Sequence, residues 1–133
     1  LAGIDELEEF ERDDPWLQLY VEGFAQRCEH LILGRESWHQ AEDEGWLTWC
    51  REHQTELAEA FLHRAESGQS VSEFFGSWFE FRGKKQTGYF LGHECILQLE
   101  RKWPLHEIAR LLDDEVRRQM KRYLQMAIAG REH

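Results

Sequence analysis

The chain has 133 residues, 41% of them apolar and 13% aromatic, including six Trp and eight Phe. That is enough for one compact core and too few for two, so a single domain is expected. Sixteen basic residues stand against 26 acidic ones, a formal charge of −10, which repels phosphate backbones and anionic lipid surfaces and disfavours nucleic acid and membrane as partners.

Residues 1–14 form an acidic lead-in carrying Asp5, Glu6, Glu8, Glu9, Glu11, Asp13 and Asp14, and residues 15–133 read as one helical domain. Asp14-Pro15 is a helix start, because Pro is tolerated in a first turn where its missing N–H is not needed. The helix runs to about Leu33 and stops at Gly34. At about 100° per residue, Trp16, Tyr20, Leu31, Phe24, Leu17, Cys28, Val21, Ile32 and Ala25 fill one half of the wheel, interrupted by Arg27, and that half is expected to be buried. Glu22 and Glu29 fall together just beyond its edge. A second helix is expected from Trp46 to about Glu66, ended by Gly68.

Ser70-Val71-Ser72-Glu73 has the form of a capping box, in which Ser70 and Glu73 each satisfy a backbone N–H, so a short helix should follow. The aromatic stretch Phe74, Phe75, Trp78, Phe79, Phe81 and the polar turn Arg82 to Gln86 come next, and any strand is confined to roughly Trp78 to Tyr89. Thr87 is expected to cap a helix from Gly88 to about Lys102. Pro104 begins a short helix through Leu112, and Asp113 or Asp114 caps a last one from Glu115 to about Ala129, closed by Gly130. The fold class is therefore all-α, with four to five packed helices. No apolar run approaches the roughly 20 residues of a bilayer span, and no signal core is present. Cys28, Cys50 and Cys95 are odd in number, widely spaced and set in apolar patterns, so they are expected to be free, at least partly buried thiols in a cytoplasmic setting.

Seven His and many carboxylates direct attention to metal chemistry. HExxH, in which two His one turn apart bind zinc and Glu activates water, is not present. His93-Glu94-Cys95-Ile96-Leu97 and His106-Glu107-Ile108-Ala109-Arg110 each lack the second His. A di-iron bundle would need two Glu-x-x-His pairs, and only Glu36 to His39 has that form. The pair Glu59 and His63 reads as a surface pair. Nucleophile-elbow, P-loop and dinucleotide glycine patterns are absent.

Gly23 is the unusual residue of the first helix. Glycine there costs about 1 kcal/mol relative to Ala, which suggests that something approaches closely. Glu22-Gly23-Phe24-Ala25 resembles the Glu-Gly-x-Ala third-ligand motif of gluzincin metallopeptidases. More narrowly, the chain resembles the later part of a family of predicted zinc-dependent proteases, which also carry a Gly-Tyr-x-x-Gly-Tyr segment opening a late helix; here it reads Gly88-Tyr89-Phe90-Leu91-Gly92-His93. The likeness runs from Trp16 to about Leu124, and His93 stands where the family has Tyr.

The resemblance implies an all-α unit like the C-terminal subdomain of a zinc metallopeptidase, acting on a peptide or protein substrate. Zinc would be held by Glu22 and two His of an HExxH helix upstream of Leu1, with no zinc site if that helix is missing. Tyr89 or His93 would donate to the oxyanion, and Glu29 would orient a ligand from the second layer. Residues 1–133 alone are expected to have no hydrolytic activity. Either the chain is the C-terminal portion of a longer protein or it is a relative that has lost catalysis. The face at Gly23 and Ala25 is expected to be covered by that upstream segment or by another chain, with self-association a consequence of leaving it bare. The alternative is a non-catalytic helical module that binds another protein.

Overall fold

The computed structural model describes residues 14–38, 45–76, 80–81 and 84–130. The lead-in up to Asp13, the aromatic pair Trp78 and Phe79, and the turn residues Arg82 and Gly83 lie outside the described residues. Among those described, the chain forms six α-helices, one 3-10 turn and one pair of two-residue strands, so the class is all-α as expected.

Helix α1 is Pro15–Leu33. Asp14 starts it, accepting the Leu17 N–H at 3.0 Å, with Pro15 in the first turn. Gly34 ends it in the left-handed region at φ 71°, returning its N–H to the His30 and Leu31 carbonyls. The boundaries match the sequence signals, but the buried face does not. Leu17, Leu19, Gly23, Gln26 and His30 are buried, whereas Trp16, Tyr20 and Phe24 are only partly so and Ala25, Leu31 and Ile32 are exposed. The stripe 19, 23, 26, 30 follows helical spacing; it is selected because Gly23 lets a neighbouring helix in, a steric reason that a count of apolar residues misses.

The expected helix 46–66 is two, α2 at Gly45–Glu52 and α3 at Gln54–Glu66. The break at His53 is slight: its carbonyl accepts from Leu57 N–H at 2.9 Å, and its ring stacks on Trp49 with centroids 4.3 Å apart. The expected capping box does not form: Val71 is the cap residue without a side-chain cap, and Ser70 Oγ accepts from Ser72 N–H at 3.1 Å in a local turn. Glu73 pairs instead with Arg64, and the helix that follows is the single 3-10 turn Ser72–Phe74. Strands β1, Glu80–Phe81, and β2, Lys84–Lys85, pair antiparallel, inside the one stretch where a strand was expected.

Helix α4, Thr87–Leu99, is buried over most of its circumference, through Gly88, Phe90, Leu91, Gly92, His93, Cys95, Ile96 and Leu99, as a central helix of a bundle is, and leaves the strip Glu94, Leu97 and Gln98 towards solvent. Thr87 does not cap it. The cap residue is Gln86, at φ 56° in the left-handed region, and the buried Thr87 hydroxyl has no partner among the described residues. The remaining helices are α5, Leu105–Ile108, and α6, Asp113–Ala129. Asp113, Asp114 and Glu115 occupy the first turn of α6 with Leu112 at the cap position. Negative charge there complements the helix dipole, so the acids act as charges rather than as a cap.

Helix α4 packs against α1, α3 and α6. Phe61, Phe74, Phe90, Leu91, Ile96, Met120 and Leu124 fill the space between them, and Trp46 closes one side with its indole N–H on the Lys85 carbonyl at 2.8 Å. The Tyr20 hydroxyl donates to the Ile108 carbonyl, tying α5 to α1. All three cysteines are free thiols, Cys50 and Cys95 buried and Cys28 partly so; burial pushes the Cys50 thiol up to about 12 and raises Cys95 as well. No helix among the described residues is long and apolar enough to cross a membrane.

Candidate functional site

The candidate residues converge on the seam between α1 and α4, which a pair of glycines creates. A Cβ placed on Gly23 would lie 2.3 Å from the carbonyl carbon and oxygen of Gly92, and one on Gly92 would lie 2.6 Å from the Leu19 carbonyl oxygen. Backbone meets backbone, so the polar side chains one turn to either side are brought face to face.

On one side of the crossing lie Glu22 and Tyr89. The Tyr89 phenol pKa is pushed up to about 12, first by burial and then by the nearby Glu22 carboxylate, whose charge and hydrogen-bonding both favour the protonated phenol. Both side chains are partly buried. Two residues that the resemblance names on separate motifs are thereby neighbours.

On the other side lie His30, His93 and Trp38. The His30 and His93 rings are 4.5 Å apart, and Trp38 sits edge-on to both, at 4.8 and 5.0 Å. The Gln26 amide donates to Glu29 Oε2 at 2.9 Å and to the Ser37 carbonyl at 3.0 Å. With both amide hydrogens assigned, His30 Nε2, 2.8 Å from the same carbonyl, is the donor to it. Burial lowers the His30 pKa, the nearby His93 lowers it further, and the Ser37 hydrogen bond and the charges of Glu36 and Glu29 oppose this.

The two imidazoles line a cleft of about 520 Å³ shared with Arg27, Arg35, Glu36, Arg51 and Glu94. Arg27 is fixed by a bidentate pair with Glu100, 2.9 and 3.1 Å. At the rim, Glu36 takes the Trp38 indole N–H at 2.8 Å and Arg51 at 3.1 Å.

The structure thus separates the two candidate oxyanion donors. Tyr89 belongs with Glu22, and His93 belongs with His30 and Trp38. Glu29 is held by Gln26, one turn along α1 from Glu22. The close approach expected at Gly23 is made by Gly92 of the same chain and not by an upstream helix, while Ala25 faces outward. His30, Gln26 and Trp38 were missed in the sequence. The available signal was the spacing of Gln26 and His30 from Gly23, which becomes meaningful only once Gly23 is paired with Gly92. Among the described residues no group of three or more His, Cys, Asp or Glu is placed to hold a metal ion. Comparison with protein-family models, curated proteins and solved structures returned no match.

Proposed function

We propose that this helical unit forms one wall of the active site of a gluzincin-like zinc metallopeptidase, with Glu22 as a metal-facing carboxylate and Tyr89 as the hydroxyl that steadies the reacting carbonyl. The observation that supports the reading is the proximity of Glu22 to Tyr89, whose phenol pKa the Glu22 carboxylate helps to raise: the two sequence motifs on which the resemblance rests meet at one point. The fit to zinc is partial, since the described residues offer no three-ligand group. This chain would contribute one ligand, and the two His and the general-base Glu would come from an HExxH helix outside residues 1–133. Bound zinc in such enzymes polarises the peptide carbonyl and activates a water.

The contribution of this chain is positional. Glu22 keeps a negative charge at the seam. Tyr89, whose phenol stays protonated well above neutral pH, keeps a donor beside it. Glu29, through Gln26, stiffens the α1 face that carries Glu22.

The test is the complete reading frame, expressed with Glu22 and with Glu22→Gln. About one zinc per chain and peptide hydrolysis are expected for the parent. Zinc content at equal metal activity should fall about tenfold or more in the variant, because an anionic ligand becomes a neutral amide. A reading frame without HExxH, or unchanged zinc in Glu22→Gln, rejects the assignment. A second reading, a non-catalytic interaction module, draws on the exposed run Leu31, Ile32, Leu33, at 50, 85 and 49% exposure. Replacing Ile32 by Lys should abolish any self-association seen by sedimentation if that run is an interface.

A further inference from the structure

His93 is a buried imidazole with nothing to bond. It is 3% exposed, and neither ring nitrogen has a hydrogen-bond partner among the described residues. Glu94 Oε1 lies 3.6 Å from Nδ1, beyond hydrogen-bond reach. Buried polar groups left without partners lose the hydration they had in the unfolded chain, and a site of this kind calls for an explanation. The neighbouring rings cannot supply one. His30 spends its Nε2 hydrogen on the Ser37 carbonyl, and Trp38 spends its only donor on Glu36.

The cleft wall that holds His93 also holds a cation without a partner. Arg27 is committed to Glu100 and Arg51 to Glu36. Arg35 lines the same cleft and is exposed; its backbone N–H goes to the His30 carbonyl at 3.1 Å, while its guanidinium makes no hydrogen bond or ion pair with any described residue. A buried imidazole at the wall and an uncommitted guanidinium at the mouth are together the complement of a carboxylate. The guanidinium provides charge and a two-pronged donor, and the imidazole N–H fixes one oxygen.

We propose that the cleft between α1 and α4 is a carboxylate-binding subsite, in which His93 donates to one oxygen and Arg35 supplies the opposite charge, and that it takes a carboxylate borne by a peptide. The identity of the bearer rests on the peptidase reading above; the binding chemistry does not. His93 follows Tyr89 by one helical turn, roughly 6 Å along α4, so an acidic side chain or chain end seated here would place the adjoining peptide beside Glu22 and Tyr89. Trp38, edge-on to the His93 ring and tethered at the exposed rim by Glu36, is the side chain that turns aside to admit it.

The experiment is a titration of the 133-residue chain, with histidines labelled with nitrogen-15, followed through the imidazole signals. The probes are N-acetyl-glutamate N-methylamide, its glutamine counterpart, N-acetyl-glycine, which presents a terminal carboxylate, and acetate. Saturable shifts at His93 and His30 with the glutamate or glycine compound are expected, the tighter of the two naming the kind of carboxylate preferred. Binding should be about tenfold weaker or worse for the glutamine compound and for acetate, and Arg35→Gln should weaken it by about tenfold.

His93→Gln should abolish the response while circular dichroism stays unchanged; if that variant unfolds, the exposed Arg35→Gln decides alone. No saturation into the tens of millimolar overturns the proposal. So does an equal response to the glutamine compound, acetate binding as tight as the peptide-borne carboxylates, or an unaffected Arg35→Gln. The titration is made on the 133-residue chain without added zinc and reads His93 and Arg35, neither of which is a proposed metal ligand. The outcome therefore stands apart from the zinc measurement.

Discussion

Gly23 and Gly92 occupy the point where α1 and α4 cross, with each backbone filling the space a methyl group on the other would need. Everything polar at the seam depends on that contact, because side chains one turn away could not meet across a wider gap. Gly23→Ala would gain about 1 kcal/mol of helix propensity and lose more by forcing the helices apart, since the obstructing atoms are backbone and cannot turn aside. A net loss of about 3 kcal/mol is expected for Gly23→Ala and a similar one for Gly92→Ala, which for a chain of this size lowers Tm by about 10 °C. Thermal unfolding measures it; an unchanged or raised Tm in either variant contradicts the crossing.

How much of this was legible in the sequence follows from the same contact. The ends of α1 were readable because Asp14, Pro15 and Gly34 act through local backbone chemistry. The buried face was not, because the apolar arc through Trp16, Phe24 and Ile32 is locally the better face. It is overruled by a partner that fits only against Gly23. Thr87 was misassigned as a cap for a related reason: the preceding Gln86 accepts a left-handed backbone, and the Thr87 side chain is buried among α4 neighbours. Glu22 and Tyr89 were found through motif resemblance, whereas His30, Gln26 and Trp38 belong to no local pattern and became visible only when the helices met.

Asp14 joins the start of α1 to the last helix. Its Oδ1 caps α1 through the Leu17 N–H, and its Oδ2 receives Arg117 Nε from α6 at 2.8 Å. The two roles separate by substitution. Asp14→Ala loses both and should cost about 1–2 kcal/mol, while Asp14→Asn keeps a capping oxygen and should recover more than half of that. The remainder, for a pair whose Arg117 side chain is 37% exposed, should be the smaller part and should shrink with added salt. Chemical denaturation of the two variants at low and high ionic strength reads these differences; equal losses in both would show that the cap contributes nothing.

His30 gives stability a pH dependence of known sign. Its pKa in the fold is below the ordinary 6.5, so the unfolded chain takes up a proton before the folded chain does. The contribution is fully present above about pH 6.5 and is lost as pH falls towards the folded value. Glu36 is also lowered, but from 4.5, so its loss comes at lower pH and does not overlap the upper part of that window. Denaturation midpoints measured between pH 7 and pH 5 should fall more steeply for the parent than for His30→Gln. Parallel slopes would mean that His30 is not held in its neutral form.

Tyr89 offers the most direct check on the Glu22 pairing, because its titration can be followed by absorbance without any substrate. A phenol raised from 10.0 to about 12 contributes stability that is complete below pH 10 and is lost as pH rises from 10 towards 12, since the unfolded chain ionises first. Burial is the larger cause and Glu22 the smaller, so Glu22→Gln should bring the Tyr89 titration part of the way back towards 10. Difference spectra against Tyr89→Phe isolate this tyrosine from Tyr20 and Tyr123. If Glu22→Gln leaves the titration where it was, the carboxylate and the phenol are not neighbours and the proposed site loses its founding contact. In a longer chain that carries HExxH, Tyr89→Phe should retain zinc and substrate affinity while kcat falls about 100-fold, the cost of removing one oxyanion donor. Loss of zinc together with activity would instead make Tyr89 a support for the metal ligand rather than a partner of the reacting carbonyl.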